Sequence, residues 1–388
     1  MPKYTINAEY ATLVAIDQHA RSSTLSALDL ATGERRRTRL TGCPSAEQVA
    51  AWARGWATAP CRFAYESGPC GFGLLRGLRA LGHGCDVIAV ASIPRDGKDK
   101  LLKDDRRDAD RLLSEMANPA SKIRSVWVPD AATEGLRDLT GAYLDASSAS
   151  RRSKLQAGGF LLRHGHVWDE RTKAGGLKKT WTPGYMKWLS GISFADPRAQ
   201  EAFKRYVKTA TEDIERARSL ARRCREAAEA PAYKPYADAL CRLKGVDAIG
   251  ALVFIAAMGD FSRFRNGRSV SAYFGLVPTK HDSGPKVGNN GRITKAGDTS
   301  CRRAAIEALA GIGRYNAGPK SAPRRGHEVS AAVEAEALRC NVRIAERYKH
   351  LVARGKPANA AKTAAASELV RDMWAMGMIV RAELAAGE

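Results

Sequence analysis

Between Thr12 and Val128 the chain changes its apolar period, and that change leaves few folds open. Three short runs come first, Thr12 to Asp17, Ser23 to Leu30 and Arg35 to Leu40, with a turn at Gly33 between the last two. Runs of this length joined by tight turns predict a three-stranded meander. An amphipathic stretch from Ser45 to Trp56 then predicts a helix, Arg62 to Glu66 a strand, Gly71 to Leu81 a helix, Cys85 to Val90 a strand, and a final helix runs through Asp105 to Met116. Strands followed by crossover helices predict a mixed sheet with helices packed on it.

A meander followed by alternating helix and strand is the element order of the ribonuclease H type of fold. Acids stand at telling points of that order. Asp17 closes the first apolar strand and Glu66 closes a later one, while Asp105 and Asp108 lie three residues apart on the last helix, hence on one face. Carboxylates gathered at strand ends and on a helix can hold divalent metal around a phosphodiester, clamping attacking and leaving oxygens. Asp104 and Asp110 compete for the same work, and helix geometry alone does not exclude Asp104, one turn from Asp108. Proofreading-type exonucleases carry a second acid two residues after the first; here Gln18 and His19 follow Asp17, which departs from that arrangement.

The partner class follows from charge. A net charge of +22 over 388 residues, spread along most of the length, points to a polyanion, and nucleic acid fits best. With 44% apolar and 27% charged residues the chain can bury cores in two or three domains. No run of about 18 apolar residues exists, so a membrane span is not expected. The opening Met1-Pro-Lys-Tyr-Thr-Ile has no basic stretch leading into an apolar core, so a cytoplasmic, nucleoid-associated address is expected. Eight cysteines without a Cys-x-x-Cys pair read as reduced, small hydrophobes.

Residues 129–232 read as a central helical or coiled-coil arm, with apolar and basic residues interleaved from Glu134 to Leu162, a Gly- and Trp-containing interruption from Gly165 to Gly184, and a charged helix from Ala199 to Ala230. Residues 233–388 form a mainly helical C-terminal domain. It opens with Leu240-Cys-Arg-Leu-Lys-Gly-Val-Asp-Ala-Ile-Gly250 before an apolar helix from Ala251 to Met258, the pattern of a helix-hairpin-helix turn able to hold a phosphate through backbone N–H groups. Ser283 follows in a Gly-flanked loop after Tyr273-Phe-Gly-Leu-Val-Pro278, ahead of a helix starting near Asp298. A serine hydroxyl attacks phosphorus only when its proton is accepted and the phosphate charge neutralised, which nearby cations and a metal can do.

The Asp17 strand, Tyr65-Glu66, Lys103-Asp-Asp-Arg-Arg-Asp-Ala109, Leu243-Lys-Gly-Val-Asp247, Phe261-Ser-Arg-Phe264, Gly275-Leu-Val-Pro278, Ser283-Gly284 and Gly291-Arg-Ile-Thr-Lys-Ala-Gly297 occur in an order that resembles the transposases of the insertion-sequence one-ten family. These are bridge-RNA-guided recombinases that join a RuvC-like domain bearing a DEDD acid set to a C-terminal transposase domain bearing a serine. The resemblance covers most of the chain. It implies a RuvC-like domain over 1–128, with Asp17, Glu66, Asp105 and Asp108 as ligands of Mg²⁺ or Mn²⁺, and Ser283 as the nucleophile. Two departures stand out: Asp104 replaces a small polar residue, and Lys-Gly-Val-Asp replaces the more usual Pro-Gly-Ile-Gly of the hairpin.

The expected function is therefore excision and insertion of a mobile element by serine attack on DNA, targeted by a structured RNA that pairs with donor and target DNA. Lys103, Arg106, Arg107, Arg292, Lys295, Arg302 and Arg303 are the expected phosphate contacts. Acids and serine fall in separate domains, so a site completed between protomers of a dimer or tetramer is expected. The alternatives are a RuvC-like junction endonuclease using water and a non-catalytic nucleic-acid scaffold.

Overall fold

The computed structural model describes residues 9–94, 105–280, 290–314 and 320–387; the side chains of Asp105, Arg106, Lys280 and Asn290 also lie outside this description. The chain folds as two compact units, Met1–Pro129 and Asp130–Glu388.

In the first unit, β1 (Thr12–Gln18), β2 (Ser22–Asp29) and β3 (Arg35–Thr41) form the expected meander, and β4 (Cys61–Glu66) and β5 (Gly84–Ile88) extend it to a five-stranded sheet in the order β3-β2-β1-β4-β5. The meander pairs are antiparallel; β1 with β4 and β4 with β5 are parallel, because helices carry the chain back between them. α1 (Ala46–Arg54) starts in a capping box, Ser45 and Gln48 satisfying each other's backbone amides. Together with α2 (Gly73–Ala80) it covers one face through Val49, Ala53, Leu75 and Leu78, packed on Ile16, Leu25, Phe63 and Tyr65.

α3 (Asp105–Ala117) covers the other face, with Leu112, Leu113 and Met116 on Leu13, Ala15, Ala64 and Ile88. The Asp110 carboxylate fastens this helix by accepting from Ser26 on β2 and Arg37 on β3. Beyond β5 the chain returns along the sheet, pairing Ile88 with Ser125. β3 lies at the opposite edge and carries Arg35, Arg36, Arg37 and Arg39.

In the second unit, α4 (Ala131–Arg163) and α6 (Pro197–Ala228) pack along one another over about 50 Å, the length of 33 helical residues. They run antiparallel, since Leu139 meets Cys224 and Phe160 meets Phe203. α5 (Pro183–Ser190) closes their far end over a small core of Phe160, Tyr185, Leu189 and Phe203.

The main core of this unit is built around α8 (Ala248–Met258), in which every residue from Ala251 to Met258 is buried. A helix apolar on all sides is stable only when enclosed, and α4, α6, α7 (Lys234–Leu240) and α10 (Thr299–Ala308) pack against it, while α12 (Ala358–Gly387) adds Leu369 and Met373 to the same core. α9 (Gly267–Tyr273), the short pair β6 (Pro278–Lys280) and β7 (Asn290–Ile293), and α11 (Ala331–Ala353) complete the unit. Among the described residues all eight cysteines are unpaired, and no helix there is long and apolar enough to cross a membrane.

Candidate active site

Strand register decides which acids meet. β1 and β4 run side by side and parallel up to the pair Ile16–Tyr65, so Asp17 and Glu66, one residue further on each strand, are lateral neighbours. Side chains alternate along a strand, and Asp17 shares the face of Leu13 and Ala15, as Glu66 shares that of Ala64; this is the face that α3 covers. Asp108 lies in the first turn of α3, above the same strand ends.

Arg111, one turn further along α3, links the acids. Its guanidinium is 2.7 Å from Asp108 Oδ1 and 3.7 Å from Glu66 Oε1. The three side chains are 19%, 28% and 24% exposed, a cluster partly screened from solvent. Asp17 Oδ2 lies 3.0 Å from His19 Nε2. Asp17, Glu66 and Asp108 thus border one end of the sheet, each beside a basic side chain.

Of the two acids that competed with Asp108, Asp110 is turned onto Ser26 and Arg37 and holds α3 to the meander. Asp104 and Lys103 lie outside the described residues, and Asp105 is described only as the first residue of α3. Among the described residues no three His, Cys, Asp or Glu side chains converge as metal ligands. The donor chemistry nevertheless fits a hard divalent ion, since carboxylate oxygens are its preferred ligands, and the Arg111 guanidinium already holds positive charge against two of them. Arg111 is not among the residues that the sequence pattern singles out, although its spacing of three from Asp108 on the helix signals it, and His19 stands there only as a non-acidic neighbour of Asp17.

Ser283 lies in 281–289, outside the described residues. The chain on either side of that stretch is fixed firmly. β6 and β7 pair through Pro278–Ile293 and Lys280–Asn290. Below them, Gly275 (φ +65°) and Gly297 (φ +70°) bring two chain segments into backbone contact, and a Cβ at Gly297 would lie 1.9 Å from the Tyr273 carbonyl oxygen. Arg302 clamps the same junction, donating to the carbonyls of Phe274 (3.0 Å) and Ala296 (3.2 Å).

That geometry sorts the expected phosphate contacts. Arg302 is buried, and its guanidinium serves these carbonyls. Arg303 pairs with Glu307 at 2.8 Å and donates to Ser148 at 3.0 Å. Arg107, Arg292 and Lys295 are exposed. At the hairpin, the Asp247 carboxylate caps α8 by accepting from the Gly250 amide at 2.8 Å. An acid thus caps the helix N-terminus whose amides could otherwise face a phosphate.

Similarity to other proteins gives the family. Residues 237–322, from α7 past α10, match the family model described as Transposase IS116/IS110/IS902 family. A Sinorhizobium fredii protein assigned as transposase y4qE is 35% identical over 322 residues, 82% of this chain and 76% of the relative. The transposase for insertion sequence element IS1533 of Leptospira borgpetersenii is 30% identical over 54% of this chain and 58% of its own length. An assigned family 20 transposase of Pseudomonas aeruginosa is 24% identical over 82% of this chain and 84% of the relative. With so much of both chains aligned at that identity, the protein belongs to the IS116/IS110/IS902 family of transposases.

Proposed function

We propose that the protein excises and inserts an insertion sequence by serine attack on DNA phosphodiesters, assisted by Mg²⁺ (or Mn²⁺) and guided by a structured bridge RNA. The observation that carries this reading is the lateral pairing of β1 with β4, which sets Asp17 beside Glu66 under the helix that bears Asp108. The sheet order β3-β2-β1-β4-β5 supports a RuvC-like, ribonuclease H-type first unit.

Asp17, Glu66, Asp105 and Asp108 would hold the divalent ion, which supplies charge neutralisation at the scissile phosphate. Ser283 attacks phosphorus: its hydroxyl proton passes to solvent, one Oγ–P bond forms, one bond from phosphorus to a deoxyribose oxygen breaks, and that oxygen takes up a proton and leaves as a free hydroxyl. One phosphodiester is exchanged for another, so strand transfer to a partner duplex needs no ATP. Arg107, Arg292 and Lys295 are the exposed cations of the expected set and would track the backbone of DNA or RNA without reading bases. A dimer or tetramer is the working form in this proposal.

The test incubates purified protein with Mg²⁺, RNA transcribed from the element's flank, and labelled donor and target DNA, followed by a denaturing gel. Label covalently bound to the protein, lost in Ser283→Ala and in Asp17→Asn, is the expected result. Cleavage without an adduct in either wild type or Ser283→Ala would make water the nucleophile and the protein a junction nuclease. Binding without cleavage under any metal would reduce it to a scaffold.

A further inference from the structure

The turn that leads into α8 holds a cation-binding cradle. Three main-chain carbonyl oxygens, of Cys241, Leu243 and Val246, point at one spot, and the Lys320 ammonium occupies it at 2.6, 3.2 and 3.0 Å. The polar groups around it are fixed independently. Asn341 accepts from the Lys244 amide at 2.8 Å and donates to the Arg242 carbonyl at 3.1 Å. Arg242 donates to the Ser321 carbonyl at 2.8 Å and pairs with Glu334, and Gly245 turns the chain at φ +84°.

Carbonyl dipoles aimed at a common point repel unless positive charge stands between them, and in a half-buried site water screens that repulsion poorly. The cradle's dimensions say which charge it suits. Its oxygens sit further from the central nitrogen than the ~2.0–2.1 Å of Mg²⁺ ligands, and mostly beyond the ~2.3–2.6 Å of Ca²⁺ ligands. No carboxylate belongs to the ring of three, which argues for a single positive charge. Burial lowers the Lys320 pKa from its ordinary value, while the Asp247 carboxylate nearby works in the opposite direction.

We propose that the Cys241–Val246 turn is a monovalent-cation site whose ion is supplied within the chain by Lys320, and that it takes up potassium once that ammonium is removed. The turn before α8 is thereby kept rigid whatever the surrounding salt. This inference does not depend on serine chemistry or on RNA guidance.

The experiment is thermal unfolding of the full-length protein, followed by circular dichroism in KCl, LiCl and choline chloride at equal ionic strength. Wild type should unfold at one temperature in all three. Lys320→Ala should lose roughly 5 °C in choline chloride and regain at least half of it in KCl, but not in LiCl, whose ion is too small to reach three fixed carbonyls. Lys320→Met, whose chain fills the cradle, should lose stability without regaining it in KCl. Equal loss for Lys320→Ala in KCl and choline chloride overturns the proposal, as does a potassium gain in Lys320→Met or wild type that equals that of Lys320→Ala. Should Lys320→Ala be unfolded in choline chloride, return of helical signal on adding KCl supports the cradle, and its failure to return overturns it.

Discussion

Replacing Gly297 with alanine tests whether the junction beneath β6 and β7 is as tight as it looks. Two costs add. A residue with a side chain at φ +70° carries the left-handed penalty of about 1–2 kcal/mol. The new methyl would lie 1.9 Å from the Tyr273 carbonyl oxygen, a backbone atom that cannot swing aside as a side chain would, and forced overpacking costs about 1–3 kcal/mol. Arg302 ties Phe274 and Ala296 together at the same place, which prevents the segments from easing apart. The sum, about 3 kcal/mol, corresponds to a loss of roughly 6–12 °C in the unfolding temperature of a unit this size. Gly355→Ala is the control, because its φ is +78° but nothing lies within 4 Å of the added carbon. It bears the conformational cost alone, about 1–2 kcal/mol. Both variants are measured by calorimetry on the full-length protein. A Gly297→Ala loss no larger than that of Gly355→Ala would refute the close-approach reasoning.

Two further outcomes follow from the first unit. Arg111→Ala removes the cation that faces Glu66 and Asp108, so the protein without divalent ions should be slightly less stable, by up to about 1 kcal/mol for a partly exposed pair; titrated Mg²⁺ should then raise its unfolding temperature more than that of wild type, and a smaller rise would count against a shared cation position. Asp29 is held down to about 2 by the Thr58 hydroxyl first, then by the amides of Thr32, Ala31 and Thr58. Its folded pKa lies below the ordinary 3.8, so the stability it contributes is complete above about pH 4 and is lost as pH falls through about 2. Asp29→Asn should flatten the acid limb of a stability-against-pH curve in that window, and an unchanged limb would show that other carboxylates control it.

The strand and helix pattern of the first unit was readable because short apolar runs, buried on both faces, alternate with amphipathic helices: the runs ending at Asp17 and Glu66 became β1 and β4, and their terminal acids became neighbours once the crossover made the strands parallel. Asp110 was beyond such reading. Its partners Ser26 and Arg37 lie 84 and 73 residues away, and only the packing of α3 across the meander brings them together. Arg302 shows the same limit from the other side: in sequence it is one more cation on a helix, and its burial depends on the carbonyl of Phe274, 28 residues earlier. The apolar run before Met258 read correctly as a helix, but not as the centre of its unit, because an unbroken apolar run does not say which neighbours enclose it. Lys320 gave no local sign of its three carbonyl partners, all more than 70 residues distant.

The arginines of β3 bear on how the protein behaves when many copies are made at once. A sheet edge presents unpaired N–H and C=O groups to any passing strand, and self-association through such edges is a common route to aggregation. Here one edge is sheltered by the chain returning past Ser125, and the other carries Arg35, Arg36, Arg37 and Arg39 within seven residues. Arg36 and Arg37 are paired with Glu34 and Asp110, yet bringing two such edges together would still crowd guanidinium groups of one edge against those of the other before a backbone hydrogen bond could form. The strand therefore resists polymerising with its own kind, and polyanions or high salt, which mask that charge, are the conditions in which this protection weakens.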